Sequence, residues 1–124
     1  MSGERSRVVV RREGTIGILA AGLATPLIMV LTELVQNALE HAFEPGQGGE
    51  VVLRAERSAG SLEVTVSDDG RGLPPDFSLV QAERLGLQIV RTLVGSELRG
   101  SVELQRRQPC GTIAVLRLPL TAHR

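Results

Sequence analysis

The chain has 124 residues and no lysine: all 14 of its basic residues are arginine. That absence excludes a P-loop lysine, the strand lysine of eukaryotic-type protein kinases and a lysine Schiff base. One cysteine, Cys110, cannot form an internal disulfide, which fits a reducing compartment. One cysteine and two histidines cannot make an ordinary four-ligand zinc site. Tryptophan and tyrosine are missing and phenylalanine occurs twice, so stacking on bases or sugars has little material. The 14 arginines are balanced by 14 acidic residues, which argues against a nucleic-acid partner. No apolar run approaches the ~18 residues of a membrane span, so no membrane contact is expected. The longest, Ile16 to Val35, is broken by Thr25, Pro26, Thr32 and Glu33. Met1 to Arg12 shows no apolar core followed by a cleavage site, so a cytoplasmic setting is expected.

What remains is an ordinary globular composition, 42% hydrophobic and 23% charged, over a length that suits one domain, residues 1 to 124. Arg7 to Arg12 reads as a short strand and Gly14 to Leu23 is ambiguous. Thr25 is a plausible N-cap with Pro26 at the first helical position. Leu27, Val30, Leu31, Leu34, Val35, Ala38, Leu39 and Ala42 then recur at helical spacing, which predicts a helix from Pro26 to Phe43. Pro45 and the glycines after it end the pattern. Val51 to Arg57 and Leu62 to Ser67 read as strands joined by a hairpin at 58–61. Leu85 to Leu98 reads as a second helix, and Ser101 to Arg106 with Thr112 to Leu118 as a closing hairpin. Helices set between hairpins predict an α/β two-layer sandwich on one largely antiparallel sheet.

Four features carry chemistry. Glu33, Asn37 and His41 are spaced by four and form one stripe on the first helix, with Glu40 and Glu44 close to it. An acid, an amide and an imidazole in line can hold a metal–phosphate group, and the same stripe also suits a plain solvated face. Asp68-Asp69-Gly70-Arg71-Gly72-Leu73-Pro74 follows an alternating strand. Its glycines let a ligand approach the backbone, and its strand-end carboxylate can accept hydrogen bonds from an exocyclic amine. Asp, Gly and Pro are equally the residues of an ordinary turn. In Leu85-Gly86-Leu87-Gln88-Ile89-Val90 a glycine opens a helix whose N-terminus suits phosphate. The apolar residues there read equally as core. Gly111-Thr112 leads into the last strand.

Together, in this order, these segments resemble the ATP-binding catalytic domain of bacterial sensor histidine kinases, in the superfamily of gyrase, Hsp90 and MutL. Glu33 to Ala42 looks like the N box and Asp68-Asp69-Gly70-Arg71-Gly72 like the G1 box. Leu85 to Val90 looks like the latter half of the G2 box, and Gly111-Thr112 with Leu118-Pro119-Leu120 like the G3 segment. The likeness covers roughly residues 24 to 120. It is strongest to soluble actinobacterial sensor kinases that signal to antiterminator-type response regulators. The resemblance implies the Bergerat-type ATP-binding fold, a mixed, mostly antiparallel sheet packed on helices. It implies ATP and Mg²⁺, with Asn37 as the metal ligand, Glu33 as the catalytic group that polarises the attacking atom, and His41 on a phosphate. Asp68 accepts from the adenine amine, Gly72 and Thr112 place waters around the ring, and Gly70 allows the turn. Residues 75 to 85, after Leu73, form a lid, and Gly86 and Leu87 begin the phosphate-facing helix.

Glu83 and Arg84 stand where the G2 box usually has two glycines, so Arg84 is expected to supply a charge in place of backbone N–H groups. No phosphoacceptor helix is visible: His41 lies inside the N box and His123 is one residue from the end. The expected partners are a histidine-bearing dimerisation domain and a downstream response regulator, with the isolated domain monomeric. An anti-sigma-factor serine kinase and a non-catalytic nucleotide-binding interaction module are the alternatives.

Overall fold

The structure is a computed structural model that describes residues 7–43, 46–72 and 85–120. In chain order the elements are β1 (Arg7–Gly14), α1 (Ala21–His41), β2 (Gly48–Arg57), β3 (Ser61–Asp68) and α2 (Leu85–Leu93). A π-helical turn (Val94–Leu98) follows, then β4 (Ser101–Arg106) and β5 (Thr112–Pro119). The five strands form one sheet in the order β1-β2-β3-β5-β4. β1 runs parallel to β2, and every other pairing is antiparallel. The helices cover one face.

Alternation sets the sheet's two faces. Along β3, Leu62, Val64 and Val66 are buried against the helices, while Ser61, Glu63, Thr65 and Ser67 face the other way. Asp68 is the next member of the buried row, so the period of two carries a carboxylate to the end of an apolar stripe. The register then places Asp68 opposite Thr112 on β5 and Val64 opposite Leu116. The open face is laced with exposed ion pairs, Arg117 with Glu63 at 2.8 Å and Arg11 with Glu50 at 2.8 Å. Such pairs contribute about 0–1 kcal/mol each.

α1 begins at Ala21, five residues before the expected start, and Thr25 does not cap it. Pro26 lies inside the helix rather than at its first position. Burial explains the difference. Leu23, Pro26, Leu27, Val30, Leu31, Leu34 and Ala38 make one buried stripe, which extends the helix a turn and a half toward the N-terminus. The bond that Pro26 cannot donate belongs to the carbonyl of Gly22, which is exposed to water. Ala21–His41 is long and apolar enough to cross a bilayer by length and composition. Here its buried stripe packs in the core, with the row from β3 and Leu116 and Leu118 of β5.

The second helical segment is also not uniform. The α-helix stops at Leu93, and Val94–Leu98 continues as a π turn that buries Val94 and Leu98. Arg99 in the left-handed region closes it, and the Gly100 N–H donates to the Val94 carbonyl at 3.0 Å.

Candidate functional site

Two adjoining compartments open along α1, one toward the ends of β3 and β5 and one toward the start of α2. The first is lined by Leu34, Asn37, Ala38, His41 and Ala42 of α1 and its cap, with Val66, Asp68, Gly72, Leu104, Thr112 and Ala114 opposite. Its walls are apolar and its polar atoms converge from three sides. The second, about 210 Å³, is lined by Glu33, Gln36, Asn37, Glu40 and His41 with Leu85 and Gly86 of α2. Asn37 and His41 border both. Larger grooves of about 490 and 630 Å³ lie along β4 and at the β2–β3 hairpin, on shallow surface, and neither is lined by Glu33, Asn37, His41, Asp68 or Thr112.

The helical stripe faces these compartments: spacing by four brings Glu33, Asn37 and His41 into line along them. Glu33 and Asn37 are half-buried, and the His41 side chain is 42% exposed at the end of α1. Glu44 lies outside the described residues. Gly86 is pressed against Glu33, whose carboxylate Oε1 fills the space a Cβ would need. Gly86 thus lets the N-terminus of α2 meet the acid of α1. Leu87, by contrast, sends its side chain into the core, leaving only its backbone near the site. Leu73, Arg84 and residues 75–84 of the expected lid lie outside the described residues.

Asp68 is the one charged side chain buried among the described residues, at 5% exposure. Its Oδ1 accepts the Gly70 N–H at 2.9 Å, and the Thr112 N–H also donates to the carboxylate. Burial pushes its pKa above the ordinary value of 3.8, and the neighbouring Asp69 adds to the rise. The two backbone donors and Arg107 oppose it. The slot holds about 40 Å³ as it stands, and an amine donor on a ligand entering it would offset the burial of this carboxylate.

Glycines allow this packing. Gly111, at φ +105°, leaves room for the Asp68 carbonyl, and Gly70 leaves room for the Ala42 carbonyl at the end of α1. Asp69 points elsewhere: its Oδ1 accepts the Glu50 N–H at 2.9 Å and ties the turn to β2. The lining also includes residues that sequence reasoning gave to the core or to no role: Leu34, Ala38, Val66, Leu104, Ala114 and Gln36. Helical and strand periodicity mark such residues as inward-facing but do not separate a core wall from a cleft wall.

The chain belongs to the histidine kinase-, DNA gyrase B- and HSP90-like ATPase family, whose match spans residues 22–122. Among curated relatives it is similar to the sensor histidine kinase PdtaS. The identity is 55% over 112 residues for the Mycobacterium tuberculosis protein and 56% for that of Mycolicibacterium smegmatis, covering 90% of this chain. A blue-light-activated histidine kinase of Erythrobacter litoralis is 40% identical over 97 residues, 75% of this chain and 27% of its own length. The solved histidine kinase domain of a blue-light-activated histidine kinase from that organism superposes with a TM-score of 0.82 at 34% identity, covering 93% of this chain and 56% of that one. The chain spans about a fifth, 22%, of the length of the mycobacterial relatives.

Proposed function

We propose that this chain is the ATP-binding catalytic domain of a cytoplasmic sensor histidine kinase. It would hold Mg-ATP for phosphoryl transfer to a histidine on a dimerisation domain, with a response regulator downstream. The observation that supports this best is the convergence of Asn37, His41, Asp68, Gly72 and Thr112 on one apolar-walled compartment. The relatives named above are histidine kinases, which favours this reading over a serine kinase.

Asp68, as a carboxylate, would accept a hydrogen bond from the adenine amine, with Gly72 and Thr112 placing waters at the ring edge. The phosphates would extend toward the second compartment, where His41 would donate to one of them. The Asn37 amide oxygen there is a hard ligand of the kind Mg²⁺ takes, in a compartment that Glu33 and Glu40 make acidic. No three His, Cys, Asp or Glu among the described residues converge on one point. Asn37 would be the protein's ligand to a metal that also takes phosphate oxygens. Bound Mg²⁺ would supply charge neutralisation and alignment of the phosphates. Glu33 would polarise the attacking group, and the N-terminal backbone of α2 at Gly86 and Leu87 would face the γ-phosphate. Leu73 and Arg84 complete the proposed set. Most of the rate would come from positioning.

The test is phosphotransfer. The chain is incubated with γ-labelled Mg-ATP and a separately supplied histidine-bearing dimerisation fragment. Acid-labile label on the fragment, lost with Asn37→Ala, supports the reading. Nucleotide binding without transfer would favour a non-catalytic module, and label on an anti-anti-sigma serine would favour the serine kinase.

A further inference from the structure

Arg71 borders neither compartment, yet it joins the two elements that build them. Its Nε donates to the His41 carbonyl at 3.0 Å, and its backbone N–H donates to the Ala42 carbonyl at 2.9 Å. Both acceptors lie at the C-terminal end of α1, where carbonyls lack helical partners and the helix dipole is negative. A cation donating there is matched in both hydrogen bonding and charge. Gly70, one residue earlier, packs so closely on Ala42 that a Cβ would collide with its carbonyl, and the Gly70 N–H holds Asp68 Oδ1 at 2.9 Å. Through the Gly70–Arg71 peptide, one hydrogen bond to the Asp68 carboxylate is therefore tied to two on the backbone carbonyls of His41 and Ala42.

We propose that Arg71 is a positioning residue for the nucleotide. By locking the end of α1 to the glycine turn, it fixes the spacing between the group that takes the ring and the groups that take the phosphates. The inference rests on the nucleotide reading above and adds a residue to it. Its physical content is a chelate argument. A ligand that engages both ends gains from their fixed spacing, whereas a fragment that engages one end does not. A residue that sets spacing without touching the ligand shows itself only when both ends are occupied together.

The experiment titrates the 124-residue chain and its Arg71→Ala variant with three probes: Mg-ATP, adenosine and magnesium triphosphate. Chemical-shift changes reach millimolar dissociation constants. The expected result is an Mg-ATP affinity about tenfold weaker in the variant, because the nucleotide must then restore the spacing that the Arg71 bond holds in the free chain, at a cost bounded by that bond. Adenosine and triphosphate affinities stay within about twofold. Equal losses for all three probes would mean that Arg71 only keeps the region folded, and would overturn the proposal. Loss confined to triphosphate would make Arg71 a phosphate contact, and an unchanged Mg-ATP affinity would make it dispensable; each overturns it too. Arg71→Met, which keeps the apolar stem without the donor, serves if Arg71→Ala does not fold. Failure of the wild-type chain to bind any probe refutes the nucleotide reading itself, and this inference with it.

Discussion

Acidification separates the two demands placed on Asp68. The fold buries this carboxyl, and burial holds its pKa above the ordinary 3.8. The folded pKa exceeds the unfolded one, so the charged form costs stability at neutral pH. That cost is relieved as pH falls through the folded value, and it is gone below the unfolded one. Nucleotide binding has the opposite sign, because the adenine amine needs the carboxylate as acceptor. Mg-ADP affinity therefore declines as pH falls, about tenfold per pH unit below the apparent pKa, starting above the range of an exposed aspartate. Asp68→Asn removes the titration. A buried hydrogen bond to a charged group is worth about 1.5–3 kcal/mol, so this variant binds Mg-ADP roughly 10- to 150-fold more weakly, and no Asp68 step remains in its profile. Calorimetric titration of both proteins across acid to neutral pH measures this, and the variant subtracts the ligand's own protonation. A wild-type profile parallel to that of Asp68→Asn, or wild-type affinity in the variant, would refute the reasoning.

Asn37→Ala is expected to leave adenosine binding intact and to abolish the gain in ATP affinity that Mg²⁺ brings; calorimetry with and without the metal reads it. Gly86→Ala places a methyl on the Glu33 carboxylate. The flexible Glu33 side chain can move aside, so stability should change little in denaturant unfolding. Glu33→Gln, which keeps the shape and removes the charge, is expected to depress phosphotransfer at least tenfold while adenosine binding holds, and unchanged transfer rates count against the Glu33 assignment. Leu27→Ala removes a side chain that is 2% exposed and should cost about 2–5 kcal/mol in denaturant unfolding. Arg117→Ala breaks the half-exposed pairs with Glu63 and Glu103 and should cost no more than about 1 kcal/mol in the same assay.

Particular residues mark what the sequence made legible. The alternation Leu62, Val64, Val66 is visible as text, and it alone places Asp68 on the helix side. Spacing by four aligns Glu33, Asn37 and His41 without help from tertiary structure. The start of α1 is a different case. Capping rules favour Thr25-Pro26, and the burial of Leu23 against a sheet formed by distant residues overrides them. The π turn at Val94–Leu98 is invisible because apolar spacing does not report an extra residue in a turn. The parallel pairing of β1 with β2 needs α1 as its crossover and has no hairpin signature. Arg71 stands 30 residues from the carbonyl it holds. Its role depends on a contact between two ends of chain that only the fold brings together.

The central claim is that the compartment around Asp68 and Asn37 takes a nucleotide. Thermal unfolding with and without Mg-ADP tests it most directly. At ligand tenfold above its Kd, mass action adds about 1.4 kcal/mol, a rise of roughly 3–6 °C for a chain of this size. The account expects that rise in the wild-type chain and its loss in Asp68→Ala. A folded wild-type chain whose Tm does not move with saturating Mg-ADP, or an equal rise in Asp68→Ala, would contradict it.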